Sequence, residues 1–129
     1  MHADERRENL DKITETIIGC AYTVMSALGS GFLEKVYENA LVHELRKNGQ
    51  AVLQQHSIKV HYDDIEVGDY VADLLVENHV LVELKAVKVL DDVHRAQCMN
   101  YLKATGYTVC LLINFGSPKL EVKRIVNNF

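Results

Sequence analysis

The sequence has little of what marks a secreted, disulfide-linked or membrane protein. It contains three cysteines, one proline and no tryptophan in 129 residues. Cys20, Cys98 and Cys110 are widely spaced and odd in number, so we expect free thiols in a reducing cytoplasm. No stretch approaches the ~20 apolar residues of a membrane span, and residues 1–12 lack the apolar core of a signal peptide. These absences predict a cytoplasmic protein with no membrane partner.

Several chemical signatures are also missing. The six histidines show no paired spacing typical of zinc sites, and there is neither a GxSxG motif nor a Walker phosphate loop. The formal net charge is −4, from 14 basic and 18 acidic residues. Proteins that bind nucleic acid by bulk electrostatics are usually basic. Binding of nucleic acid would therefore depend on a local basic patch, a bound cation or a partner protein that supplies a basic surface.

The composition and periodicity that are present predict one globular α/β domain. Apolar residues make up 48% of the chain and charged residues 25%, which is ordinary for a folded domain. Residues 1–8 are charged and aperiodic, so we expect a flexible segment there and a single domain over residues 9–129. Apolar residues spaced by three and four predict helices from Leu10 to Leu28 and from Phe32 to about Asn48.

The period then changes to two, which is typical of strands. Three strands, joined by turns at Asp63-Asp64 and Asn78, should form an antiparallel meander. A helix follows Asp91-Asp92 and ends at Gly106, and two strands close the chain. The predicted strands are 58–62, 70–76, 80–87, 107–115 and 120–126. The order α-α-β-β-β-α-β-β predicts a mixed α+β sheet between helices.

The strongest candidate site consists of Asp73, Glu83 and Lys85, which interrupt apolar strands. Glu83 and Lys85 point to the same side of a strand because side chains alternate. Two nearby carboxylates can hold a divalent cation, and a neighbouring lysine can orient water or stabilise charge on a phosphate. The structural alternative is a Glu-Lys pair on an exposed sheet face with Asp73 at an edge. The spacing alone does not decide between the two.

The shared site requires a particular strand register. A two-residue turn at Asn78-His79 would place Asp73 opposite Leu84, on the face away from Glu83. A three-residue loop over 77–79 would instead place Asp73 opposite Glu83, with Asn78 in a left-handed conformation. We therefore predict the three-residue loop.

Two helical features could add to this site. Glu34 is either held over the sheet as a further ligand or satisfied locally, as the third residue of a helix capped by Gly31. Gln97 and Tyr101 are four residues apart and share one helix face, with His94 three residues before Gln97. That polar stripe is either solvent-exposed or lines a site.

These residues together resemble the PD-(D/E)XK nuclease superfamily, in particular its RecB-like branch. The sequence is similar above all to the small GxxExxY protein family of that superfamily. Gly31, Glu34 and Tyr37 match its name motif, and 72–76 with 82–86 look like its core. The resemblance covers roughly residues 17–126 and implies a restriction-endonuclease-like α/β/α sandwich.

The resemblance also implies a metal site. Asp73 and Glu83 would bind Mg²⁺ or Mn²⁺, with the backbone carbonyl of Leu84 completing the site. Lys85 would position the hydrolytic water, and Glu34 would act as an extra acidic ligand.

Gln97 and Tyr101 would shape the substrate side of this site. The implied activity is a metal-dependent phosphodiesterase that cleaves DNA or RNA. The alternative is a non-catalytic interaction or assembly module that keeps the nuclease fold. Two long helices with apolar stripes also predict a homo-oligomer, because the sheet alone would not cover that apolar surface.

Overall fold

The chain folds into a five-stranded mixed sheet with two helices on one face and one on the other. The computed structural model describes residues 3–127. The strand order is β1-β2-β3-β4-β5, in which β3 and β4 are parallel and all other neighbours antiparallel. The elements are α1 (Ala3–Leu28), α2 (Glu34–Lys47), β1 (Val52–Tyr62), β2 (Ile65–Val76), β3 (Val80–Lys85), α3 (Asp92–Thr105), β4 (Val109–Asn114) and β5 (Glu121–Val126). The predicted fold class and element order are confirmed.

The two faces of the sheet carry separate apolar cores. Helices α1 and α2 pack with Leu74, Val82 and Leu84 on one face. Helix α3 packs with Leu75 and Leu81 on the other, where Cys98 and Cys110 also lie. The strands β3 and β4 are almost wholly buried, as expected for central strands covered on both sides. Within residues 3–127, no helix combines the length and the apolar character that crossing a bilayer requires.

Both hairpin turns follow the predicted chemistry. Asp63 and Asp64 have φ of +49° and +63°, as a two-residue hairpin loop between Tyr62 and Ile65 requires. The second loop contains three residues, 77–79, with Asn78 at φ +56°. It pairs Val76 with Val80, so the predicted register of β2 and β3 is confirmed.

Some element bounds differ from the sequence prediction. Helix α1 begins at Ala3 instead of Leu10, so residues 3–8 of the predicted flexible segment are helical; Met1 and His2 lie outside the described residues. Charged residues such as Glu and Arg are good helix formers, and apolar periodicity does not detect them. The strand β2 begins at Ile65, five residues earlier than predicted, and pairs with β1 along its exposed half.

Candidate active site

The candidate site lies where β2 and β3 separate. Their backbone pairing ends at Leu74 and Val82, and beyond these residues two carboxylates bond to the opposite strand. The backbone N–H of Asp73 donates to Glu83 Oε1 (2.8 Å), and the backbone N–H of Leu84 donates to Asp73 Oδ2 (2.7 Å). Each carboxylate therefore bonds to the backbone of the opposite strand, and this crossed pair brings Asp73 and Glu83 together.

The strands β1 and β2 change faces at this point. On β1, Val52 belongs to the α1–α2 core and Ile58 to the α3 core, although simple alternation would put both on one face. On β2, Leu74 belongs to the α1–α2 core and Ala72 to the α3 core, although they too are an even number of residues apart. The change occurs at Gln55, which has a left-handed φ of +55°.

Asp73 stands at the same level of the sheet, between the pairs Gln54–Leu74 and His56–Ala72. The prediction that Asp73, Glu83 and Lys85 share one face stays a prediction, and the crossed hydrogen bonds bring the Asp73 and Glu83 carboxylates together between the strands. Leu84 belongs to the α1–α2 core, so alternation places Glu83 and Lys85 on the opposite side of β3. Asp73 lies at the point where β2 changes faces. The left-handed Gln55 therefore lies beside Asp73 in the sheet, and the loop at 77–79 sets the register between β2 and β3.

A buried glutamate supports this arrangement. Glu38 on α2 is only 3% exposed. Its Oε2 accepts hydrogen bonds from Lys35 Nζ and Gln54 Nε2, both at 2.8 Å, and its Oε1 accepts from Gln55 Nε2 at 2.9 Å. The same Gln55 amide lies 3.4 Å from Asp73 Oδ1. Glu38 thus orients Gln55, and Gln55 orients Asp73.

Sequence reasoning missed both supporting residues. Glu38 is four residues after Glu34 and therefore shares its helix face, which was an available signal. Nothing in the local sequence marks Gln55, because glutamine is not a residue that favours the left-handed region.

The site raises the pKa of each of its carboxyl groups. Burial, and then the charge of Asp73, raise the pKa of Glu83 to about 8. Burial also raises the pKa of Asp73, although the hydrogen bond from the Leu84 N–H opposes the shift. The pKa of Glu34 is raised by burial and by the charge of Asp73. The ammonium of Lys85 acts in the opposite direction on all three. Burial is therefore the largest cause of the raised pKa of each carboxyl group, and the charge of Lys85 does not offset it.

Glu34 faces this cluster from the start of α2. The local prediction, in which Gly31 caps the helix and Glu34 is its third residue, is wrong. The N-cap is Leu33, which makes no side-chain capping bond, and Glu34 is the first helical residue. Gly31 has φ of +115°, which extends the preceding loop by two residues. The carboxylate of Glu34 is therefore placed next to the charges of Asp73 and Lys85.

Tyr37, the last residue of the name motif, has a structural position. It is fully buried and stacks on Phe115, with ring centroids 4.6 Å apart. Its hydroxyl donates to the carbonyl of Gly29 and accepts from the backbone N–H of Phe32. Tyr37 therefore holds the α1–α2 loop, and with it the start of α2 that carries Glu34.

Helix α3 closes the other side of the site. Gln97 Nε2 donates to Tyr101 Oη at 2.9 Å. Burial and the charges of Glu83 and Asp73 raise the pKa of Tyr101 to about 12, so its hydroxyl stays protonated. His94 belongs to the capping box of α3, where its Nδ1 accepts from the Asp91 N–H at 3.3 Å. Gln97 and Tyr101 thus form one hydrogen-bonded pair on α3, and Tyr101 is within electrostatic range of Glu83 and Asp73.

The segment that follows Lys85 is held against the end of β4. Asn114 is fully buried and pairs with both backbone polar groups of Val87, accepting from its N–H (3.0 Å) and donating to its carbonyl (2.8 Å). A Cβ on Gly116 would lie 2.3 Å from the Val87 nitrogen, so only glycine fits there. This contact fixes the chain just beyond β3.

A comparison with known families decides the identity of the fold. The profile of the PD-(D/E)XK nuclease superfamily matches residues 11–125. The chain belongs to the PD-(D/E)XK nuclease superfamily. The match includes Glu34, Asp73, Glu83 and Lys85 and both helices that enclose them. The narrower placement in the GxxExxY family and the RecB-like branch stays a prediction. A search among curated protein sequences found no match.

Two solved structures have a similar fold. An alkaline exonuclease (LHK-Exo) from Laribacter hongkongensis aligns with a TM-score of 0.55 and 15% identity, over 73% of this chain and 56% of that one. The protein SSO0001 aligns with a TM-score of 0.56 and 15% identity, over 97% of this chain and 63% of that one. The chain thus spans less than two thirds of either neighbour, and the likeness at this identity concerns the fold.

PD-(D/E)XK nucleases generally use divalent metal ions, and the donors here fit one. Among residues 3–127, no three His, Cys, Asp or Glu side chains form a ready-made metal-binding group. Mg²⁺ usually binds through one or two protein carboxylates plus waters and substrate phosphates, so the pair Asp73 and Glu83 suffices. The role of Glu34 as a further acidic ligand stays a prediction. Burial, the main cause of the raised pKa of these carboxyl groups, disfavours their charged form, and a bound cation would favour it.

Proposed function

We propose that this protein is a divalent-metal-dependent phosphodiesterase that hydrolyses nucleic acid. The crossed pair of Asp73 and Glu83 carboxylates, with Lys85 two residues further along β3, is the observation that carries the proposal. Oxygen donors of this kind favour Mg²⁺ or Mn²⁺ over softer metals.

The residues of β2 and β3 divide the chemistry between them. Asp73 and Glu83, together with the backbone carbonyl of Leu84, would hold the cation. A divalent cation at this position supplies charge stabilisation to the phosphate as its bond to the leaving oxygen breaks. The ammonium of Lys85 donates a hydrogen bond to the attacking water and keeps it in line with the phosphorus. The water oxygen would bond to phosphorus as the bond from phosphorus to the leaving oxygen breaks; the attacking water would lose a proton to Glu34 or to solvent, and the leaving oxygen would take a proton from solvent.

The helices contribute the remaining groups. Glu34 reaches the site from α2 and would bind through water to the cation or accept a proton from the attacking water. Gln97 and Tyr101 form a hydrogen-bonded pair on α3 that would donate to the substrate's phosphate or base. The high pKa of Tyr101, about 12, keeps that hydroxyl a donor at neutral pH.

The cellular setting follows from composition and burial. Cys20, Cys98 and Cys110 are free and buried, which suits a reducing cytoplasm. With a net charge of −4, the chain offers little general attraction for a polyanion. We infer that the positive charge that attracts nucleic acid comes from local groups at the site, from a second copy of the chain or from a partner protein.

A metal titration tests the site. Mn²⁺ and Mg²⁺ should raise the melting temperature of the wild type through preferential binding to the folded state. Asp73→Asn should abolish this shift and leave the fold intact. Asp69→Asn is the matched control, because Asp69 is an exposed aspartate on the same strand that pairs with Lys59. A wild type with no response by calorimetry or thermal melts would contradict the metal site.

A cleavage assay tests the activity. Wild type with Mn²⁺ should cut at least one member of a panel of single- and double-stranded DNA and RNA. Lys85→Ala should reduce the rate by at least a hundredfold, in the range of general acid–base and electrostatic contributions, and still bind Mn²⁺. Lys59→Ala, a strand lysine outside the site, should cut like wild type. Metal binding without cleavage of any substrate would support the non-catalytic module instead.

A further inference from the structure

A groove runs between the β1–β2 hairpin and helix α3, beside the carboxylate site. Its volume is about 690 Å³, within the range of ligand pockets. Val60 and Tyr70 line the hairpin side. Gln97, Asn100, Tyr101 and Lys103 line the α3 side. We call this space the hairpin groove.

The hairpin groove adjoins the candidate active site at Tyr101. Tyr101 belongs to both, because its ring lines the groove and its hydroxyl lies near the charges of Asp73 and Glu83. The rings of Tyr70 and Tyr101 are tilted at 49° with centroids 5.9 Å apart. The groove is therefore next to the position of a phosphate held at the carboxylates, where the neighbouring nucleotide of the same strand would lie.

The chemistry of the walls matches a nucleotide. Tyr70 is half exposed and offers an aromatic surface on which a base can stack. Among residues 3–127, nothing hydrogen-bonds the Asn100 amide or pairs with the Lys103 ammonium. Amides recognise base edges and ammonium groups attract phosphates.

The charge of the molecule favours a single strand. A duplex hides its bases in the stack and offers mainly phosphates, which a chain of net charge −4 repels overall. Stacking on an aromatic ring needs no net positive charge and requires an unpaired base. The face switch at Gln55 curls β1 and β2 over α3, and this curl creates the groove.

We propose that the hairpin groove holds an unstacked nucleotide of a single-stranded substrate, with its base on Tyr70 and its polar groups on Asn100 and Lys103. This proposal rests on the proposed nuclease function and adds the substrate class. Tyr70 is then a residue that determines specificity, and Asp73, Glu83 and Lys85 remain the reacting centre.

Binding of a labelled oligothymidine, as a single strand and annealed to its complement, tests the proposal in the Lys85→Ala background with Mn²⁺. The single strand should bind more tightly than the duplex. Tyr70→Ala should weaken single-strand binding by roughly five- to a hundredfold, the range for one stacked base. Tyr70→Phe should bind like the parent. Tyr22→Ala is the matched control, since Tyr22 on α1 is 52% exposed and Tyr70 51%.

A second variant guards against misfolding of Tyr70→Ala. Ala104 lines the groove at an exposed helical position, so Ala104→Trp should fill the groove without disturbing the core. It should weaken single-strand binding as well, and Mn²⁺ affinity by calorimetry should stay unchanged in every groove variant.

The outcomes separate the two proposals. Wild type that cuts nucleic acid, with Tyr70→Ala and Ala104→Trp binding a single strand like the parent, overturns the groove and leaves the nuclease function standing. Equal binding of duplex and single strand also overturns it. Wild type that neither binds nor cuts any strand overturns the proposed function, and the groove assignment with it.

Discussion

Two carboxylates in neighbouring apolar strands are costly, and the local contacts of Asp73 and Glu83 show how the cost is limited. Burying ionised groups without partners is strongly unfavourable. Each carboxylate accepts a backbone N–H from the opposite strand, and Lys85 supplies one positive charge. This compensation is incomplete, since the pKa of Glu83 is still raised to about 8. Such a residual imbalance is typical of functional sites.

The raised pKa of Glu83 predicts a pH-dependent stability of the metal-free protein. The folded pKa of about 8 exceeds the unfolded value of 4.5, so between these values the folded state binds more protons. The free energy of unfolding should therefore fall as pH rises through this window, by up to roughly 1.4 kcal/mol per pH unit. Urea unfolding at several pH values with a chelator measures the slope.

Glu83→Gln provides the comparison, because its amide oxygen can still accept the Asp73 N–H while carrying no charge. The slope should flatten in this variant and persist in Glu66→Gln, an exposed glutamate on the same sheet. An unchanged slope in Glu83→Gln would assign the pH dependence to other groups. Mn²⁺ should stabilise the wild type more at the upper end of the window, where Glu83 is ionised.

At the scale of the elements, the bend of the β1–β2 hairpin organises the site. The hairpin leaves the α1–α2 face of the sheet and crosses to α3 at Gln55 and Asp73. A left-handed conformation costs an L-residue roughly 1–2 kcal/mol. The hydrogen bonds from Gln55 to Glu38 and towards Asp73 offset that cost.

Two substitutions of Gln55 distinguish the contribution of its side-chain amide from that of its left-handed backbone. Gln55→Ala and Gln55→Gly both remove the amide, so both should weaken Mn²⁺ binding through a less well-positioned Asp73. Glycine tolerates a φ of +55°, so Gln55→Gly should be more stable than Gln55→Ala by about 1 kcal/mol. Equal stabilities in urea unfolding would mean that the left-handed backbone is not retained.

The contact between the end of β4 and the segment after Lys85 leads to a prediction about stability. Gly116→Ala should lower the free energy of unfolding by about 1–3 kcal/mol, because its Cβ would overlap the Val87 backbone. Gly19→Ala is the matched control. Gly19 lies within α1 with nothing within 4 Å of a Cβ, so alanine should be neutral or stabilise the protein by about 0.5–1 kcal/mol. Thermal or urea unfolding of both variants checks the contrast.

At the scale of the whole molecule, apolar side chains remain exposed away from the two cores. Tyr62, Ile65 and Val67 lie at the far end of the β1–β2 hairpin, and β1 is an edge strand. Exposed edges with apolar side chains favour association with another chain. The hairpin end is therefore the surface where we expect a second copy to bind.

Light scattering at micromolar concentration should show a homo-oligomer. Ile65→Lys should shift it towards monomer, because a charge at the hairpin end opposes burial against another chain. Tyr22→Lys, at an exposed position on α1, should not change the mass. A wild type that is monomeric throughout this range would contradict the prediction.

The sequence alone determined the order of the elements and most of the site. The predicted strand over 80–87 carried Glu83 and Lys85, and the predicted loop over 77–79 set the register between β2 and β3. These features depend on residues that are close in the chain or face each other across one hairpin. Hydrophobic periodicity and turn residues therefore predict them. The family resemblance added Glu34, Gln97 and Tyr101, which come from separate helices.

Only the tertiary structure decided how those groups are held. The left-handed Gln55 breaks the period of two, and no local pattern marks it. Glu38 lies 17 residues from Gln55 in sequence, yet their side chains are bonded at 2.9 Å. The hairpin groove likewise exists because β1 and β2 curl over α3. Such contacts depend on how elements distant in sequence pack together, and the hydrophobic periodicity of a single sequence does not predict that packing.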